Sequence, residues 1–151
     1  MTETVIIPPD GRRVSGGRFI PPLLLIPFVF YNILAVTVMG WQPGAWGNQV
    51  LFSIPMVLGV SWSLTWSDVM LVVGLVCLFF EVIKSTNTGR NSVIEHMAST
   101  ALFVIFLVEF LLFAPAASST FFILMIMALV DVVAGFTISI TGAGRDVTMG
   151  N

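Results

Sequence analysis

Four long apolar segments alternate with short polar ones along the chain, and each is long enough for a membrane-spanning helix. They lie at residues 19–39, 67–85, 92–114 and 118–141. Pro115 follows the third segment, where a proline is expected to end a helix. The pattern predicts a mainly α, integral membrane protein, built as a four-helix transmembrane bundle.

Capping residues indicate where these helices begin and end. Ser67-Asp68 is predicted to start the second helix and Ser118-Ser119 the fourth, because short polar side chains accept hydrogen bonds from the first turn. Gly142 is predicted to end the fourth helix. The predicted organisation is therefore a cytoplasmic N-terminal arm, a transmembrane domain and a cytoplasmic tail, at residues 1–18, 19–142 and 143–151.

Residues 50–66 are apolar enough for a fifth span, but their hydrophobic positions repeat every second residue, as in a strand. The segment turns at Val57-Leu58-Gly59, and a three-residue hairpin loop commonly ends in a glycine. We therefore predict a β-hairpin on the outer face between helices 1 and 2. Its register pairs Met56 with Val60, Ile54 with Trp62, and Phe52 with Leu64.

The positions of the basic residues favour four spans over five. With four spans, both termini are cytoplasmic and all six basic residues share one side, as the positive-inside rule requires. The outer connections, residues 40–66 and 115–117, then carry none. The six are Arg12, Arg13, Arg18, Lys84, Arg90 and Arg145. Four tryptophans in the outer connection are predicted interfacial anchors: Trp41, Trp46, Trp62 and Trp66.

Composition agrees with a membrane protein and narrows its chemistry. The chain is 57% hydrophobic and only 9% charged, too few charges to cover a water-exposed surface. A net charge of −2 leaves no footprint for nucleic acid. No phosphate loop, nucleophile with a positioned base or metal-ligand spacing is present, and His96 is the one histidine, predicted at the inner surface. We predict no enzyme activity, cofactor or metal.

Ionisable residues inside the predicted spans are the candidate site. Asp131 and Glu81 lie at nearly equal depth, with Lys84 one turn beyond Glu81 and Ser99 close in level on the third helix. Two interpretations stay open for Asp131. It is either one internally hydrogen-bonded carboxyl group in a packing seam, the favoured interpretation, or a proton or ion site.

Two further features accompany this candidate site. Glu109 lies near the outer end of the third helix, with Asn32 of the first helix at comparable depth as a plausible partner. A stripe of small residues follows one face of the fourth helix, and small residues allow helices to approach closely in lipid. This predicted packing seam contains Ala128, Gly135, Ser139 and Gly142.

Several stretches after residue 50 resemble small inner-membrane proteins of alphaproteobacteria that have no assigned function. They read SWSLTWSD, FFEVIKSTNTGRNSVIEHMAST, LVEFLL and LVDVVAGFTISI. The resemblance implies a bacterial inner membrane, but it brings no activity and no catalytic residue.

The predicted function follows from the missing catalytic set and the small size. We expect an accessory or scaffold subunit in the lipid bilayer, associating with other membrane-protein subunits or as a homo-oligomer. The alternative is a small ion- or proton-coupled transporter or channel that uses Asp131 and Glu81. Co-purification in mild detergent would separate the two.

Overall fold

The computed structural model describes the backbone of residues 21–86 and 92–148, and the side chains of residues 21–86 and 94–141. The predicted arm and the 87–91 loop therefore lie outside the described residues. The elements, in chain order, are α1 (Leu25–Thr37), α2 (Ala45–Asn48), β1 (Val50–Pro55), β2 (Ser61–Thr65), α3 (Trp66–Ser85), α4 (Ser92–Leu112), a 3-10 turn (Ala114–Ala116) and α5 (Ser119–Thr148).

Three of these helices, α3, α4 and α5, are long and apolar enough to cross a membrane. The fourth predicted span, residues 19–39, is not confirmed. In its described part the helix α1 has 13 residues, about 20 Å at 1.5 Å per residue, against a hydrocarbon core about 30 Å thick. It begins only at Leu25, behind Pro21-Pro22, and ends before Gly40 and Trp41, which both have positive φ.

The start of α3 differs from the prediction by two residues. Thr65, not Ser67-Asp68, is the N-cap, and its side chain accepts a hydrogen bond from the Asp68 backbone N–H. In return, the side chain of Asp68, the third residue of the helix, accepts a hydrogen bond at Oδ2 from the Thr65 N–H at 2.8 Å. This reciprocal capping box starts the helix directly after the last residue of β2.

The end of α5 also differs from the prediction, because the helix continues past Gly142 to Thr148. The residues predicted as a tail, 143–151, are therefore helical as far as 148. A glycine inside a helix costs only about 1 kcal/mol relative to alanine, so it does not by itself stop one.

The core of the bundle is aromatic and lies between α1, the 3-10 turn and α5. Tyr31 is fully buried and stacks on Trp46 with ring centroids 4.2 Å apart. Its hydroxyl donates to the Pro115 carbonyl at 2.9 Å and lies 2.6 Å from Ser118 Oγ. Trp46 is only 1% exposed, so it packs inside the chain instead of anchoring it at the interface. Trp66 is half-buried against the same core.

The β-hairpin forms with the predicted register. Phe52 pairs with Leu64 and Ile54 with Trp62, and the Met56 N–H donates to the Val60 carbonyl at 2.8 Å. Gly59 has φ +77°, the left-handed conformation that a glycine adopts at no steric cost. The two strands are antiparallel and form the two-stranded sheet of the described chain.

Candidate intramembrane polar site

A polar cluster joins α3, α4 and α5 toward the ends of α3 and α4 that lie away from the hairpin. Its side chains share one small cavity and come from positions one helical turn apart, which places them on common faces. We define the polar cluster as Glu81, Lys84, Ser85, Glu95, His96, Ser99 and Asp131.

Glu81 connects the cluster to the segment just before α1. Its Oε2 accepts a hydrogen bond from the Leu23 backbone N–H at 2.8 Å, just before α1 begins. Its Oε1 accepts from Lys84 Nζ at 3.2 Å. Glu81 is 4% exposed. Both carboxylate oxygens are therefore bonded, and one of these bonds ties the beginning of α1 to α3.

Lys84 links α3 to α4. Besides its contact with Glu81, its Nζ lies 3.7 Å from Glu95 Oε2, and both side chains are largely buried. A buried charge is stable only when it is paired and hydrogen-bonded. Among the described side chains of the cluster, Lys84 is the one lysine or arginine beside three carboxyl groups.

Asp131 is 4% exposed and completes the cluster from α5. Its carboxyl group interacts with the hydroxyl of Ser99, itself buried, and it lies within the electrostatic range of Glu81 and Lys84. The cavity has a volume of about 10 Å³. That space is about enough for one water molecule.

The predicted seam on α5 contacts a histidine. Ala128 and Gly135 are buried, while Ser139 is half-buried. A Cβ added at Gly135 would lie 2.6 Å from His96 Nδ1, and His96 Nε2 lies 2.6 Å from Ser139 Oγ. The sequence analysis placed His96 at the inner surface and did not predict this packing. The small residues of the seam were the sequence feature that could have indicated it. The surroundings of Gly142 lie outside the described side chains.

Glu109 and Asn32 form a second, separate polar contact. The Asn32 side chain interacts with the Glu109 carboxyl group and donates to the Phe28 carbonyl at 3.2 Å. Glu109 Oε1 is buried and has no hydrogen-bond partner among the described residues. Ten residues separate Glu109 from Ser99 on α4, which is about 15 Å along the axis. The predicted site residues therefore divide into two groups.

Similarity to known proteins adds nothing to this geometry. No family model matches the chain, and no curated protein or solved structure does. The resemblance to small alphaproteobacterial inner-membrane proteins stays a prediction. Within the part of the chain that the structure describes, no three His, Cys, Asp or Glu side chains are arranged to hold a metal ion.

Proposed function

We propose that the protein is a non-catalytic membrane component, an accessory or scaffold subunit that associates with a larger membrane complex or with itself. The β-hairpin carries this proposal. Every residue of β1 is exposed, and at the tip Val57 is fully exposed and Leu58 92% exposed. An isolated hairpin is marginally stable in water, and exposed apolar patches are typical of contact surfaces.

The composition of the hairpin supports contact with protein or lipid over contact with water. Residues 50–65 contain no charged side chain. The apolar partners Ile54 and Trp62 share one face, while Ser53 Oγ and Ser63 Oγ lie 2.7 Å apart on the other. One face is thus available for an apolar partner, and the other is satisfied by its own hydrogen bond.

A photocrosslinking experiment tests this proposal. Leu58 is replaced by p-benzoylphenylalanine in cells at native expression, and the same change at Leu111, exposed on α4, is the control. We expect a discrete protein adduct from position 58 and none from position 111. Lipid adducts alone, or the same adducts from both positions, would contradict the proposal.

We also propose a bacterial inner-membrane location with four crossings and both termini cytoplasmic. The uncharged outer connections support it. The bond from Leu23 to Glu81 lies about 22 Å along α3 from Trp66, so the described chain just before α1 reaches toward the inner end of α3. Alkaline phosphatase fused after Leu58 is expected to be active, and a fusion after Asn151 inactive. An active C-terminal fusion would contradict four crossings.

The second candidate is a small ion- or proton-coupled transporter or channel. The observation in its favour is the short helix α1, which begins beside the buried Glu81, because carboxyl groups buried in a membrane domain mark ion pathways in transporters. The test is proton-coupled flux in proteoliposomes, with Asp131→Asn as the variant. Proton flux in the wild type that is lost in the variant supports the transporter hypothesis. Equal flux in both proteins, or no flux in the wild type, contradicts it.

A further inference from the structure

The hydrogen bonds of the β-hairpin determine which backbone groups lie on its two outer edges. The Met56 N–H donates to the Val60 carbonyl, and bonded pairs recur at every second residue of an antiparallel ladder. The pair Ile54–Trp62 is therefore a bonded pair as well. Residues between bonded pairs direct their N–H and C=O away from the hairpin. These outward residues are Ser53 and Pro55 on β1, and Ser61 and Ser63 on β2.

The edge of β1 carries two features that hinder pairing with a further strand. Pro55 has no N–H to donate. The ladder is irregular between Val50 and Phe52, where Leu51 has no partner in the register. Prolines and bulges of this kind protect the edge strands of natural proteins against pairing with other chains.

The edge of β2 carries neither feature. Its register is continuous, and Ser61–Thr65 contains no proline and no charged side chain. Ser61 and Trp62 are exposed. Among the described residues, no hydrogen bond reaches the backbone N–H or C=O of Ser61 or Ser63, whereas the Thr65 N–H donates to Asp68. The two outward serines therefore offer two backbone donors and two backbone acceptors to another strand.

This edge is complementary to itself. In an antiparallel pair of two β2 strands centred on Trp62, Ser61 of each copy faces Ser63 of the other, and each such pair exchanges two hydrogen bonds. The two Trp62 side chains then lie at the non-hydrogen-bonded position, where side chains approach most closely and aromatic pairs are stabilising. Trp62 is 47% exposed, so its ring is accessible to such a partner.

We propose that two copies of the protein associate through the outer edges of β2 and form a four-stranded antiparallel sheet. This pairing rests on the hairpin contact proposed above, and it identifies the partner at that contact as a second copy. A second copy in the same bilayer presents the same edge at the same depth, as a two-fold interface requires. A four-stranded sheet also replaces two isolated hairpins, each of which is marginally stable alone.

Disulfide crosslinking between two tagged forms of the full-length protein tests the register. Cys77, the one cysteine, is replaced by serine in both forms; one carries Ser61→Cys and the other Ser63→Cys. After the forms are mixed in phosphatidylcholine vesicles, we expect disulfides between them and none within either form. The facing residues have Cα atoms about 5.5 Å apart, within the usual disulfide range. Ser53→Cys, on the edge of β1, is the control and should not crosslink.

Two proline variants separate the two edges. Ser63→Pro and Ser53→Pro each remove an outward N–H, and each breaks the same contact of 2.7 Å between the two serine hydroxyls. They therefore perturb the hairpin in the same way, but Ser63→Pro alone removes hydrogen bonds of the dimer, one from each copy. Measured by energy transfer between labelled copies in vesicles, the association constant should fall roughly tenfold or more with Ser63→Pro and stay unchanged with Ser53→Pro.

Failure of this pairing is distinguishable from failure of the proposed function. Equal loss of association in both proline variants, or absence of the disulfide between positions 61 and 63, would overturn the pairing. A discrete adduct of position 58 with a different protein, without that disulfide, overturns the pairing but supports the proposed function. Absence of both the adduct and the disulfide contradicts both. Should the proline variants unfold the hairpin, the disulfide register still decides.

Discussion

Removing the hydroxyl of Tyr31 tests whether this side chain fastens α1 to the bundle. Tyr31→Phe keeps the ring that stacks on Trp46 but deletes the contacts to the Pro115 carbonyl (2.9 Å) and to Ser118 Oγ (2.6 Å). Ser118 Oγ still accepts from the Phe121 N–H at 3.1 Å, so it is not left without a partner. The Pro115 carbonyl loses the tyrosine as its donor.

The expected cost follows from these two contacts. An unpaired buried polar group costs about 1–3 kcal/mol in a soluble protein. Hydrogen bonds between membrane helices average only about 0.6 kcal/mol, with a maximum near 1.7. Since Tyr31 loses two contacts and leaves one buried acceptor, we expect the free energy of unfolding to fall by about 1–2 kcal/mol.

The assay is reversible unfolding by SDS in mixed micelles, followed by far-ultraviolet circular dichroism. Thr37→Val is the control, because the Thr37 hydroxyl donates to the Ile33 carbonyl of its own helix, on an exposed face. A double-mutant cycle of Tyr31→Phe with Ser118→Ala should show coupling, since the two groups touch. The assignment of Tyr31 as the residue that holds α1 to the bundle would be refuted in either of two cases. In the first, Tyr31→Phe lowers the free energy of unfolding no more than Thr37→Val does; in the second, the effects of Tyr31→Phe and Ser118→Ala are strictly additive.

Four further substitutions have expected outcomes in the same unfolding assay. Gly135→Ala should cost about 1–3 kcal/mol, because the new methyl meets the rigid ring of His96, whereas Gly74→Ala should cost less, since it meets the far ends of the flexible Leu124 and Met127 side chains; equal costs would contradict this. Thr65→Ala should cost about 1 kcal/mol by removing the N-cap of α3, and rescue by serine is the check. Gly59→Ala should cost about 1 kcal/mol, because φ is +77° there, and an unchanged midpoint would show that the hairpin contributes nothing to stability.

The hairpin was predictable from the sequence because its signals are local. Alternation fixes which side chains share a face, and a glycine at the third loop position fixes the turn, so the pairing of Ile54 with Trp62 follows without knowledge of the rest of the chain. Glu81 and Asp131 were placed at one level by counting helical rise, and both line the same cavity.

The features that were missed depend on tertiary packing. Apolar character alone does not separate a short helix from a span, so the length of α1 could not be read from residues 19–39. The burial of Trp46 requires the ring of Tyr31 fifteen residues earlier. Thr65 and Ser67 are both acceptable N-caps in isolation, and the choice depends on where β2 ends. The packing of His96 could not be predicted without knowing that Gly135 lies opposite it on another helix.

The junction between β2 and α3 has a mechanical consequence. No residue separates Thr65 from Trp66, and the Trp66 N–H also donates to the Gln49 carbonyl at 3.3 Å. The hairpin is therefore joined to α3 directly, with no loop residue between them that could act as a hinge. A partner that pushes the hairpin sideways applies a torque to α3, and Glu81 near the far end of that helix turns with it. The same carboxylate holds the Leu23 N–H, so such a load reaches the beginning of α1 through a single hydrogen bond.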